Sequence, residues 1–176
     1  HTCHSDFNAN RERLWQQIYL LNWNELIVRK TRLAKNDIGK IIFNNSFEVA
    51  VLLIWKLVID QKRSYTLQKF EILLRAKLRF RNPHEKQLSN LLKKIDFENK
   101  FKPVAMNFEK ERHEIIAHLK KVSPGTYPIT QKEIERKAAI AKKLNLTCRR
   151  INRYYDVLKM RGASAKDLYC RLSKHR

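Results

Sequence analysis

Val49-Ala-Val-Leu-Leu-Ile-Trp55 is the apolar run that decides the fold of this 176-residue chain. Ser46 precedes the run and is a residue type that caps helix N-termini, so we predict a helix that begins there. Because this helix would be apolar nearly all round, we expect it to be the buried centre of a bundle. The longest apolar stretch, Phe47 to Ile59, is too short to cross a membrane and carries Glu48 and Lys56, so we expect no membrane partner.

The rest of the chain is also typical of long helices with little sheet. It has only three glycines and four prolines, and apolar residues recur at helical spacing over 11–33, over 67–78 after the cap Thr66, and after Pro83 and Pro103. Asp37-Ile38-Gly39 is expected to interrupt the first helix or to start a loop. The fold class predicted is therefore an all-α, compact multi-helix bundle.

The strongest break in the chain, Ser123-Pro124-Gly125-Thr126-Tyr127-Pro128, separates the predicted regions. We divide the chain into a flexible leader at 1–10, a helical bundle at 11–125, and a basic C-terminal helical segment at 126–176 that packs on the same domain.

Two structures suit the C-terminal segment. Thr130-Gln-Lys-Glu133 is a capping box, and from Ile134 to Leu158 apolar residues recur at intervals of 4-3-3-4-3-4-3. This seam predicts one long helix that packs on the domain or on a second subunit. The alternative is a helix-turn-helix that binds DNA, with Asn145 in the turn and Thr147 capping a recognition helix. We favour the single helix because the seam keeps its phase across the supposed turn.

The charge balance indicates a partner that is a polyanion. The chain has 38 Lys and Arg against 17 Asp and Glu, a net charge of +21. Arg149, Arg150 and Arg153 with Tyr154 interleave cations and an aromatic ring, which suits unpaired RNA. The alternative interpretation is a solvated face with Tyr154 and Tyr155 in the core.

Arg112-His113-Glu114-Ile-Ile-Ala-His118 is the stretch most relevant to chemistry. Its two histidines are five residues apart, about 140° around a helix, whereas a zinc-binding H-E-x-x-H motif needs them four apart. The three cysteines are scattered and suggest a reducing cytosol, so we expect a cytoplasmic protein without metal or cofactor.

Arg112 and His118 are instead suited to RNA cleavage. They flank an apolar helix stripe formed by Val104, Phe108, Ile115 and Leu119. A guanidinium matches phosphate geometry, and an imidazole titrates near neutrality, so the pair can promote attack of a 2′-hydroxyl on the adjacent phosphate. His113 and Glu114 are candidates to support the pair, and Lys120 and Lys121 to hold phosphates; ordinary ion pairing with Glu111 or Glu114 is the structural alternative.

The motif R-H-E-I-I-A-H-L resembles that of the HEPN superfamily (higher eukaryotes and prokaryotes nucleotide-binding), in particular its abortive-infection branch of the AbiU type. The resemblance rests on Arg112, the polar His113, Ala117 and His118, with a similar order of helices over about residues 12–160. It implies a metal-independent endoribonuclease, often a toxin or phage-defence effector, whose active site forms between two subunits. A neutralising antitoxin is a further implied partner. Lys120 replaces the tyrosine of the subset regulated by nucleotidyl modification.

Two other functions remain open. The first is a DNA-binding regulator that uses a C-terminal helix-turn-helix, with the motif helix purely structural. The second is a non-catalytic helical adaptor that docks another protein. The backbone conformation at Asn145 and the surroundings of Arg112 bear on these alternatives.

Overall fold

The computed structural model describes residues 2–60, 66–78, 84–121 and 130–159, and all regular structure among them is helical. The predicted all-α bundle is confirmed. The first helix begins at Thr2, so residues 2–10 are its first turns, where we predicted a leader. The break at 123–128 and residues 160–176 lie outside the described residues. In chain order the helices are α1 Thr2–Thr31, α2 Asp37–Val58, α3 Leu67–Leu78, α4 His84–Ile95, a π-helix Phe97–Phe101, α5 Lys102–Met106, α6 Glu109–Lys121 and α7 Gln131–Lys159.

Helix α2 lies at the centre of the bundle, as its apolar run predicts. It packs along α1 and also contacts α3, α5, α6 and α7. Its fully buried side chains include Phe43, Phe47, Ile54 and Leu57. By length and composition α2 is also long and apolar enough to cross a membrane, since an 18-residue window of the helix has a mean hydropathy of 1.6. However, 56% of this window is buried inside the bundle.

The start of α2 differs from the prediction. Asn36 caps the helix: its side-chain oxygen accepts a 2.6 Å hydrogen bond from the Gly39 amide. Ser46 is a buried interior residue of the helix. Gly39 lies in the first turn of α2 and does not interrupt the helix. A Cβ there would lie 2.4 Å from the Ala34 Cβ and 2.8 Å from the cap oxygen. Glycine is therefore needed for close approach of the preceding turn, and the cap lies ten residues earlier than predicted.

Helix α3 agrees with its predicted start and α5 and α6 differ from the prediction, while the start predicted at Pro83 lies outside the described residues. Thr66 caps α3 by accepting a 3.1 Å hydrogen bond from the Lys69 amide. Asp96, with a φ of 49°, separates α4 from the π-helix. The helix predicted to run on from Pro103 is divided into α5 and α6 by a turn at Asn107–Phe108. Phe108 is buried in that turn, which brings α6 against the core.

Helix α7 is a single helix, which confirms the favoured prediction, and the alternative helix-turn-helix is not formed. Asn145 donates a 2.7 Å hydrogen bond to Glu25 of α1, and the Thr147 hydroxyl donates to the Lys143 carbonyl one turn earlier. Neither residue forms a turn or a cap. At the helix start, Thr130 and Glu133 form the predicted capping box, with bonds of 3.2 and 3.3 Å. The buried seam packs within the domain on α1, α2, α3 and α4.

Candidate functional site

Helix α6 holds Arg112 at the edge of its contact with α2. Phe108 and Ile115 are both buried, and they orient the helix so that Arg112 lies beside the apolar contact rather than within it. The Arg112 guanidinium carbon lies 4.6 Å from the centroid of the Trp55 ring on α2. This cation–π contact holds the planar guanidinium in place.

The acids near Arg112 are engaged by another cation. Arg136 of α7 pairs with Glu111 at 3.3 Å and also with Glu114. Within the part of the chain that the structure describes, Arg112 forms no ion pair. The structural alternative, in which Glu111 or Glu114 neutralises Arg112, therefore does not hold for the described residues.

The remaining motif residues are only partly placed. Glu114, a candidate support for His118, directs its carboxylate to Arg136, and His113 is exposed to solvent. The backbone of His118, Lys120 and Lys121 belongs to α6, and their side chains lie outside the described residues. Helix geometry separates Arg112 from His118 by about 9 Å along the axis and about 120° around it. The two residues therefore flank the side of α6 that carries Ile115.

A buried lysine, which the sequence analysis missed, lies next to Arg136. The Lys137 ammonium binds Asn44 and Glu48 of α2, the latter at 2.7 Å, and lies 5.9 Å from the Phe47 ring centroid. Its cost of burial is offset by this carboxylate and amide. The available signal was Glu48, a charge inside the otherwise apolar run. The cluster joins α7 to α2 and fixes the register that brings Arg136 to α6.

The predicted basic residues of α7 contribute to a pocket with cations from α4 and the π-helix. Arg149 and Arg153 are exposed, and Arg150 donates a 2.8 Å hydrogen bond to the Lys100 carbonyl. A cavity of about 180 Å³, here called the cationic pocket, is lined by Lys94, Lys100, Phe101, Arg150 and Arg153. Four cations and no acid among its described lining residues make it suitable for a phosphate. Lys94 and Lys100 were missed because only the tertiary structure brings them to α7.

Tyr154 is a core residue, so its prediction as an RNA-stacking residue is wrong. It is 0% exposed, its hydroxyl donates to Glu71, and its ring centroid lies 5.5 Å from that of Phe101. A ring enclosed in this way cannot stack on a base. The alternative interpretation, with Tyr154 and Tyr155 in the core, is the one observed.

Cys148 does not provide a nucleophile. It is a buried residue of the α7 seam. Burial, and secondarily the nearby Glu25 carboxylate, raise the pKa of its thiol well above the usual range. Because the thiolate is the reactive form, this cysteine is structural.

Comparisons of the chain with protein-family models, with curated proteins and with solved structures find no match.

Proposed function

We propose that this chain is a metal-independent endoribonuclease of HEPN type. The observation that carries the proposal is the state of Arg112. Arg112 lies on α6, the helix that also carries His118, and its guanidinium is held over the Trp55 ring of α2. Arg136 pairs with the nearby Glu111 and Glu114. Among the described residues no carboxylate pairs with Arg112, and a fixed cation of this kind binds and stabilises a transferring phosphate.

In the proposed reaction, the 2′-hydroxyl of RNA attacks the adjacent phosphorus and the bond to the 5′ oxygen breaks. His118 moves the proton, as general base on the attacking hydroxyl or general acid on the leaving oxygen, and Arg112 stabilises the pentavalent phosphate. The products are a 2′,3′-cyclic phosphate and a 5′-hydroxyl. Lys120 and Lys121 hold phosphates beside the scissile bond, and the cationic pocket holds the strand farther away.

The active unit in this proposal is a homodimer. This follows from the resemblance to HEPN enzymes, in which the Arg–His pairs of two subunits face one strand. The side of α6 that carries Ile115 packs on α2, so the second copy would lie beside that side rather than on it. The apolar seam of α7 is buried within the domain, so it does not form the contact between subunits. By the same resemblance, the biological role is that of a toxin or phage-defence effector in the cytoplasm, held by a neutralising protein.

The test is cleavage of end-labelled RNA by the purified full chain in the presence of a chelator. We expect cyclic-phosphate ends, a loss of roughly 10²–10⁴-fold for His118→Ala, and a loss of about 10²-fold or more for Arg112→Ala. Arg112→Lys should not restore the rate, because an ammonium lacks the planar fork. Lys110→Ala is the matched control, since Lys110 is an exposed cation on the same helix.

Two results would contradict the proposal. Full activity in His118→Ala would remove the catalytic assignment. Absence of cleavage together with absence of salt-sensitive nucleic-acid binding would instead select the non-catalytic adaptor.

A further inference from the structure

Three aromatic residues form an exposed stripe along α1. Trp15, Tyr19 and Trp23 are 51%, 53% and 49% exposed, one per helical turn. The first two rings are stacked, with centroids 5.5 Å apart and planes inclined by 21°, and the third meets Tyr19 edge-on at 6.5 Å. Single exposed aromatics are common, but a contiguous row of three is a feature of binding surfaces. We refer to these three residues as the aromatic stripe.

The aromatic stripe lies beside the basic face of α7. Asn22 and Asn152 exchange hydrogen bonds of 2.9 and 2.8 Å, and Asn145 bonds Glu25, so α1 and α7 run antiparallel. This register places Trp23 level with the part of α7 between Arg149 and Arg153. Trp15 lies about two turns closer to the N-terminus of α1 than Asn22 does. Around the helix axis it is only about 20° from Asn22, so it also lies on the side of α1 that faces α7.

The charge along these two faces favours an anionic partner. Arg153 also lines the cationic pocket, so positive surface continues from the aromatic stripe to that pocket. By helix geometry, the exposed or half-exposed charged residues on these faces are six cations and three acids: Arg11, Arg29, Lys30, Lys142, Arg149 and Arg153 against Glu12, Glu135 and Asp156. A second copy of so basic a chain would be repelled here, whereas a polyanion would be attracted.

We propose that the aromatic stripe and the adjacent arginines bind single-stranded RNA, with bases stacked on the rings and phosphates at Arg149 and Arg153. This inference rests on the proposed function, for which it supplies the substrate class. Exposed ring faces stack on any unpaired base, and cations alongside follow the backbone. Duplex RNA keeps its bases paired and stacked, so it cannot use the rings.

The experiment measures binding without cleavage. The full chain is titrated into labelled single-stranded 2′-O-methyl RNA, which lacks the attacking hydroxyl, at one fixed salt concentration. We expect Trp15→Ala and Trp23→Ala each to weaken binding about tenfold. Trp23→Phe should keep most of the affinity. Leu20→Ala is the matched control, because Leu20 is similarly exposed on another face of α1.

A spectroscopic measurement keeps the proposal testable if a variant folds poorly. Trp15, Trp23 and Trp55 are the only tryptophans in the chain, so in Trp55→Phe the indole emission comes from the aromatic stripe. Binding of the RNA should quench this emission. Binding without a change in the emission, or full affinity in the folded Trp15→Ala/Trp23→Ala variant, would overturn the proposal. Conversion of a dimer to monomers without loss of affinity would also overturn it, and would assign the stripe to a subunit contact. Failure here leaves the cleavage assay unaffected, so the two proposals fail separately.

Discussion

Replacing Arg136 with alanine tests whether this residue is needed to neutralise the acids of α6. Arg136 pairs with Glu111, whose side chain is 8% exposed, and with Glu114, which is 37% exposed. Removing one partner of a buried ion pair costs about 3–5 kcal/mol, because the other charge is left without compensation. Arg136 is itself 33% exposed, so water can enter the vacated space and the lower end of the range applies.

The expected loss of stability is about 3 kcal/mol from Glu111, with about 0.5 kcal/mol more from the exposed Glu114. For a chain of 176 residues, such a loss lowers the melting temperature by about 10 °C. Urea unfolding followed by circular dichroism measures it. Arg149→Ala is the matched control, an exposed arginine on the same helix that should change stability by less than about 0.5 kcal/mol.

A double-mutant cycle isolates the interaction. In a Glu111→Gln background the buried charge is gone, so Arg136→Ala should lower the free energy of unfolding by only about 1 kcal/mol. The coupling free energy between Arg136 and Glu111 should therefore be at least about 1.5 kcal/mol. A coupling within about 0.5 kcal/mol of zero would refute the reasoning. Glu111 would then not depend on Arg136, and this ion pair would not explain why no carboxylate among the described residues pairs with Arg112.

Two further predictions concern α2 and α7. Gly39→Ala should destabilise the protein by about 1 kcal/mol or more, since the new Cβ would lie 2.4 Å from the Ala34 Cβ; a stabilised variant in urea unfolding would show that helix propensity outweighs the crowding. Cys148 should resist alkylation until the chain unfolds, because burial raises the pKa of its thiol; peptide mass spectrometry reads this out, and labelling at the rate of a free thiol would contradict it.

Local features of the fold were predictable because their causes lie within a few residues. The Thr66 cap, the capping box at Thr130 and Glu133, and the apolar seam of α7 each follow from side chains within one or two turns. The phase of the seam was enough to favour one continuous helix. The start of α2 was mispredicted because Gly39 suits either a break or a close approach, and only the position of Ala34 decides which.

In the candidate site, the sequence identified residues but not their contacts. Arg112 was identified from residue type and spacing, but its contact with Trp55 depends on how α6 packs on α2. Tyr154 was misassigned because periodicity does not show which neighbouring helix covers a ring. Here Phe101 and Glu71 enclose it, and both come from elements distant in the chain.

By itself the sequence determined the helical class, the central position of α2, the continuity of α7 and the strong positive charge. These properties depend on short-range periodicity and on composition, which add up along the chain. Only the tertiary structure decided that Arg136 engages Glu111 and Glu114, and that α1, which carries the aromatic stripe, packs on α7 with Asn22 against Asn152. Such pairings join residues more than twenty positions apart, and their partners are set by how helices pack rather than by local propensity.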